Sequence, residues 1–229
     1  MRTEYGAGMN GMLQRALWWS QDYAYAALQQ TRAFASHRTP ESYAAGDGTP
    51  IVVLPGIYET WRFMEPVIRS VHDLGHPTHV VDVLRRNVGT VPEIADGVGR
   101  YLAERDLCDV VLLAHSKGGL AGKLAMIGPE AKRIRGMLAV ATPFGGSRYA
   151  RLMLPRTLRA LSPRDPSIVS LSGQRYANAR IVSVYARFDP HIPEGSELPG
   201  ARNVPVETGG HFRILAHPQV LIELTALAR

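Results

Sequence analysis

From residue 51 onward the chain alternates short apolar runs with longer amphipathic stretches. The runs at 51–54, 78–83, 109–114, 134–141, 180–185 and 203–206 are apolar on both faces, as strands are when layers cover the sheet on two sides. The stretches at 62–74, 91–105, 117–127 and 166–173, and a last one from 218 to the end, are spaced as helices. Strands that alternate with helices in this way predict an α/β architecture: a mostly parallel central sheet with helices on both faces. Segment 155–166, rich in Arg and Pro, follows neither period. It is an irregular excursion placed where a lid or substrate-facing segment would sit.

The first forty residues carry a different pattern. Met9, Met12, Leu13, Ala16, Leu17, Tyr23, Ala24, Ala27, Leu28 and Phe34 recur at helical spacing, with Gln14, Arg15, Gln21, Asp22, Gln29 and Arg32 opposite, accompanied by Trp18 and Tyr25. This is one amphipathic helix, or two broken near Ser20. Two placements compete: a helix docking its apolar stripe on the body, and a helix lying at a membrane interface as a peripheral contact. The polar face is not strongly cationic, which favours docking. Breakers at Pro40, Gly46 and Gly48 divide the chain into a helical extension, 1–40, and an α/β domain, 41–229.

Composition narrows the partners. A hydrophobic fraction of 45% and a charged fraction of 20% fit an ordinary globular chain able to bury a core. The 26 Lys and Arg outnumber the 20 Asp and Glu, but they are spread out, with no cluster longer than pairs such as Arg85-Arg86, so no nucleic-acid partner is expected. Cys108 is the sole cysteine, which excludes an intramolecular disulfide. The N-terminus has no basic stretch leading into an apolar segment, and no window is apolar enough to cross a bilayer. The expected location is cytoplasmic, with membrane-peripheral contact through the first helix as the variant.

The chemistry centres on AHSKGG, 114–119, whose Ala114 ends the largely apolar run DVVLLA, 109–114. A serine nucleophile on a sharp strand-to-helix turn needs small residues two before and two after it, because both meet neighbouring backbone. Ala114 and Gly118 meet that need around Ser116. The following helix would turn its free N–H groups and positive dipole end toward a developing oxyanion. A base and an orienting acid are expected further on, each just past a strand. Asp189 lies in FDPHIP after one predicted strand and His211 in ETGGHFRILAHP after another, with Gly209 and Gly210 before it. His191 and His217 are alternative bases and Asp165 a weaker acid; His115 is assigned to packing. The backbone N–H of Lys117 and that of Ile57, in the loop after the first strand, would form the oxyanion hole, with Gly56 allowing close approach. The Lys117 side chain is expected to reach solvent or Glu59, or else to face the pocket mouth and favour anionic substrates. Tyr58, Trp61, Phe144 and the 152–161 region are candidates for an apolar acyl pocket.

The order LPGIY, AHSKGG, ATPFGGS, FDPHIP and GGHFRILAHPQV resembles the lipase branch of the α/β-hydrolase fold, particularly small bacterial triacylglycerol lipases with alanine at the first position of the elbow. The resemblance runs over residues 50–229. It implies Ser116 as nucleophile, Asp189 as orienting acid, His211 as base and Ile57 with Lys117 as oxyanion donors, and it implies that 141–147 borders the pocket. Pro55 stands where that branch usually has histidine, and the first forty residues have no counterpart in it. The expected activity is hydrolysis of a small-molecule or lipid carboxylic ester through an acyl-enzyme, with no metal or organic cofactor. Acyl transfer or thioester cleavage by the same triad, or a catalytically silent lipid- or partner-binding role, are the alternatives.

Overall fold

The structure is a computed structural model and describes residues 9–81 and 86–229. Among the described residues, six strands form one sheet: β1 (Ile51–Leu54), β2 (Thr78–Val80), β3 (Val110–His115), β4 (Ile134–Val140), β5 (Ile181–Phe188) and β6 (Arg202–Gly209). Their order is β2-β1-β3-β4-β5-β6, and every pairing is parallel. The apolar run expected to reach residue 83 forms strand through Val80; its positions 82 and 83 lie outside the described residues.

Alternate strand residues feed two cores, as the two-residue period demands. Val52, Leu54, Val110, Leu112 and Ala114 point into one, covered by helices α3 (Val91–Glu104), α4 (Lys117–Ala125) and α6 (Pro166–Gly173). Ile51, Val53, Val111 and Leu113 point into the other, covered by α2 (Glu65–His72) and α7 (Pro218–Leu227). The excursion contains a short helix, α5 (Arg156–Arg159). The first helix, α1 (Met9–Ala35), runs unbroken through Ser20. Among the described residues, no helix is long and apolar enough to cross a membrane.

The strand order locates the site. From β1 the chain moves outward to β2, then returns past β1 to β3 and continues the other way. The loops leaving the carboxyl ends of β1 and β3 therefore diverge and open a crevice between them, the usual ligand position in an open parallel sheet. Ile57 follows β1 and Ser116 follows β3.

Lys123 of α4 is 1% exposed, with its ammonium 6.0 Å from the centroid of the Phe144 ring. Burial lowers its pKa to about 8, with the Arg175 charge adding to the effect. The charged form is thus disfavoured in the folded chain, and this cost is present in full below pH 8 and fades as pH rises toward the unfolded value. Lys123→Met should therefore raise stability at pH 7 by about 1–3 kcal/mol. Thermal melts of both proteins should show this advantage shrinking between pH 8 and 10.

Candidate active site

β3 ends in a turn that only the next residues make possible. Ser116 has φ 50° and ψ −122°, a strained backbone for a residue with a side chain. Its N–H donates to the Val140 carbonyl at 2.9 Å. A Cβ on Gly118 would lie 2.2 Å from the Leu54 carbonyl oxygen, and one on Gly119 would lie 2.0 Å from Thr142 Oγ1. Gly118 lets α4 start against the end of β1, and Gly119 lets it start against Thr142 beyond β4.

The hydroxyl meets His211: Ser116 Oγ and His211 Nε2 are 3.0 Å apart, and His211 Nδ1 lies 2.8 Å from Asp189 Oδ2. Asp189 follows β5, and its other oxygen accepts the N–H groups of His191 at 2.7 Å and Ile192 at 3.1 Å. Burial pushes the Asp189 carboxyl up, but the charge and hydrogen bond of His211 and the His191 N–H outweigh it and hold the group below its ordinary value. Burial likewise opposes an imidazolium at His211. The Asp189 carboxylate, aided by Glu59 and Asp22, reverses this and raises the His211 pKa. The ring Nδ1–H therefore faces Asp189, leaving Nε2 to accept from the serine.

The rival side chains have other partners. Asp165 caps α6 by accepting the Ser167 N–H, and His217 caps α7 by accepting that of Gln219. The His191 ring sits 4.9 Å from that of His211, centroid to centroid. Burial, reinforced by the His211 charge, lowers the His191 pKa to about 4. It is a neutral imidazole, within hydrogen-bond reach of the Tyr23 hydroxyl at 3.2 Å. His115 does more than pack. It is fully buried, with Nδ1 2.9 Å from Glu59 Oε2 and Nε2 3.0 Å from the His211 carbonyl. Glu59 Oε2 also accepts the Gly56 N–H at 2.7 Å, so one buried pair ties the loop after β1 to the backbone of His211. The next residues of that loop are Ile57 and Tyr58, the latter at φ 62°. The N–H groups of Ile57 and Lys117 have no hydrogen-bond partner among the described residues.

The Lys117 side chain faces neither the pocket mouth nor Glu59. It is 1% exposed and turns away from the cavity to donate to the Asn87 carbonyl at 3.1 Å and to the Gly89 carbonyl. Burial lowers its pKa to about 8 against the pull of Glu93. It pins the 87–89 loop, and only its backbone belongs to the crevice.

A cavity of about 730 Å³ opens over Ser116 and His211. Tyr58 lines it, as do Pro143 and Ser147 of the 141–147 segment, and Tyr149, Met153, Leu158 and Leu161 of the region around the excursion. Trp61 and Phe144 are not among its walls. Trp61 is buried in the core under α2, where its ring meets that of Tyr43, and Phe144 is buried in the opposite core. Phe63, two residues beyond Trp61, lines the cavity instead.

The fourth wall comes from α1, through Tyr23, Ala26, Ala27 and Gln30. The helix docks, but not on the stripe that periodicity selects. Met12, Leu13, Leu17, Leu28 and Phe34 are exposed, whereas Asp22 and Gln29, assigned to the polar face, are buried. Trp18 lies against Gly209 and stacks on Phe188. Asp22, 0% exposed, accepts the N–H groups of His211, Phe212 and Arg213. Burying a carboxylate is costly unless hydrogen bonds replace its water, and three backbone donors do so here. The one sequence signal was that Asp22 is the single acid in this 27-residue helix.

No protein-family model and no curated protein matches the chain in sequence. Solved structures do match in fold. Aspergillus fumigatus lipase B superposes with a TM-score of 0.66 at 15% identity, over 82% of this chain and 54% of that one, so the chain spans about half the length of that lipase. Bacillus licheniformis lipase BlEst2 in its mature form gives 0.64 at 16% identity over 81% of this chain and 97% of that one. A carboxylesterase from Nitrososphaera gargenis gives 0.55 at 12% identity over 79% and 90%. The chain has the α/β-hydrolase fold.

Proposed function

We propose that the chain is a carboxylic ester hydrolase acting through Ser116, His211 and Asp189. The observation that carries this is the hydrogen-bonded line from Ser116 Oγ through the His211 ring to Asp189, opening into a largely apolar cavity. His211 Nε2 takes the hydroxyl proton as Oγ attacks the ester carbonyl, and Asp189 holds the ring and its charge. The tetrahedral oxyanion is stabilised by the Ile57 and Lys117 N–H groups, which face it unpaired and cost no reorganisation. Collapse breaks the ester C–O bond, and the imidazolium returns its proton to the departing alcohol. Water then attacks the acyl-Ser116 ester by the same steps in reverse order, releasing the acid and restoring the serine. The walls formed by Tyr58, Phe63, Met153, Leu158 and Leu161 suit an apolar acyl chain.

Incubation with a fluorophosphonate probe tests the assignment. One adduct per chain, located on Ser116 by peptide mass analysis, and loss of p-nitrophenyl ester hydrolysis in step with labelling are expected. Hydrolysis that persists in fully labelled protein would overturn it.

A further inference from the structure

We infer that Asp22 is the positioning residue that holds His211 for catalysis, which makes the N-terminal helix part of the active site. This rests on the assignment of His211 as the base, and it extends that assignment to an element outside the hydrolase sheet.

Three observations carry it. First, the Asp22 carboxylate is saturated by three consecutive N–H groups: Oδ2 accepts from His211 at 2.9 Å, and Oδ1 accepts from Phe212 and Arg213 at 2.8 Å each. These donors precede and begin the short 3-10 helix Arg213–Ala216, where backbone N–H groups have no partner within the helix itself. Asp22 thus acts as an N-terminal cap supplied by a segment 189 residues away in the chain. Second, Gly209 and Gly210 are shaped to α1. A Cβ on Gly209 would lie 2.6 Å from Trp18 atoms, and one on Gly210, at φ +124°, would lie 2.4 Å from Asp22 Oδ1. The glycine pair before His211 therefore admits the helix as well as freeing the backbone. Third, the same helix reaches the other side of the site, where the Tyr23 hydroxyl lies 3.2 Å from His191 Nε2 and the His191 N–H donates to Asp189.

The His211 ring is gripped from both ends of its residue. Asp189 holds Nδ1, and Asp22 and His115 hold the N–H and carbonyl of its backbone. A general base must sit within hydrogen-bond reach of the proton it takes, and small displacements of such groups carry large rate penalties. Losing the Asp22 carboxylate frees the 211–213 turn while leaving in place Tyr58, Met153, Leu158 and Leu161, the cavity walls proposed for the acyl chain that lie on other elements.

The test compares Asp22→Asn and Asp22→Ala with the wild-type chain, using a p-nitrophenyl ester and rates per folded molecule counted by circular dichroism. Asparagine keeps shape and one acceptor but loses charge. We expect kcat to fall roughly 10-fold for Asp22→Asn and roughly 100-fold or more for Asp22→Ala, with KM changed less than about threefold. The pH profile supplies a readout that loss of structure alone would not move. The charged or titratable groups around His211 are Asp22 and Tyr23 on α1, Glu59 and His115 behind it, and Asp189 and His191 beside it. Hydrolysis requires neutral His211, so it is lost as pH falls through that residue's raised pKa. Removing the Asp22 charge withdraws one of the groups raising it, and the acid limb of kcat in Asp22→Asn should move to lower pH. Unchanged kcat per folded molecule in both variants, or a drop in activity accounted for wholly by fewer folded molecules, overturns the role of Asp22. If the fluorophosphonate probe fails to label Ser116 in the wild-type chain, the active-site assignment itself fails, independently of any Asp22 variant.

Discussion

Ser116→Ala is expected to lower kcat/KM for a short p-nitrophenyl ester by at least about 10⁴-fold, because among the described residues the hydroxyl that meets His211 Nε2 is that of Ser116. Its thermal unfolding should stay close to that of the wild type. The substitution removes one oxygen, and the strained backbone at φ 50° must be adopted by alanine as it is by serine. The pairing of near-total loss of rate with an intact fold separates a reacting group from a structural one. Stopped-flow or plate assays at substrate concentrations well below KM, alongside a melting curve, check it. A variant keeping most of the activity would require a different nucleophile.

The second large effect is on the elbow itself. Gly118→Ala would place a methyl group 2.2 Å from the Leu54 carbonyl oxygen and 2.8 Å from that of Pro55. Both are backbone atoms at the end of β1 and cannot swing aside as a side chain would. Helix propensity alone favours alanine over glycine by about 1 kcal/mol, so a destabilisation would show that the tertiary contact outweighs it. A loss of about 3 kcal/mol or more is expected, together with a fall in kcat, because separating α4 from the β1 loop moves the Lys117 N–H away from that of Ile57. Denaturant titration and steady-state kinetics read the two effects. Gly145, with nothing within 4 Å of its absent Cβ, provides the control, and its alanine variant should match the wild type in both.

The middle of the sheet was legible because parallel strands buried on both faces are apolar at nearly every position, as β1 and β3 are; the edge strand β6, largely exposed or half-buried, has the weakest run. The residues the structure brings together at Ser116 were legible for a related reason. A strained turn tolerates few residue types, so Ala114, Gly118 and Gly119 mark the place in the sequence. Boundaries drifted by a residue or a few, as at β5, which continues to Phe188, because pairing with β6 rather than local preference decides where a strand stops.

The errors have one origin. Periodicity ranks helix faces by hydrophobicity, and it selects the wrong side of α1 because the docking face places Asp22 and Gln29 beside Trp18 and Tyr25. A carboxylate buried at 0% exposure is stable only where three N–H groups converge, and those groups lie 189 to 191 residues further along the chain. Lys117 was misplaced in the same way. At the start of a helix its charge opposes the dipole, yet the carbonyls of Asn87 and Gly89 draw the ammonium inward. Trp61 and Phe144 are close to the site in sequence, but their rings fill the cores on the two faces of the sheet.

By itself, then, the sequence determined the strands, the covering helices and the turn that exposes Ser116, since each depends on residues within a few positions of one another. Only the tertiary structure decided which face of α1 is buried, what Lys117 touches, which side chains wall the cavity and what steadies His211. These depend on hydrogen-bond donors and acceptors brought together from distant parts of the chain, and a polar contact of that kind leaves no period in the sequence.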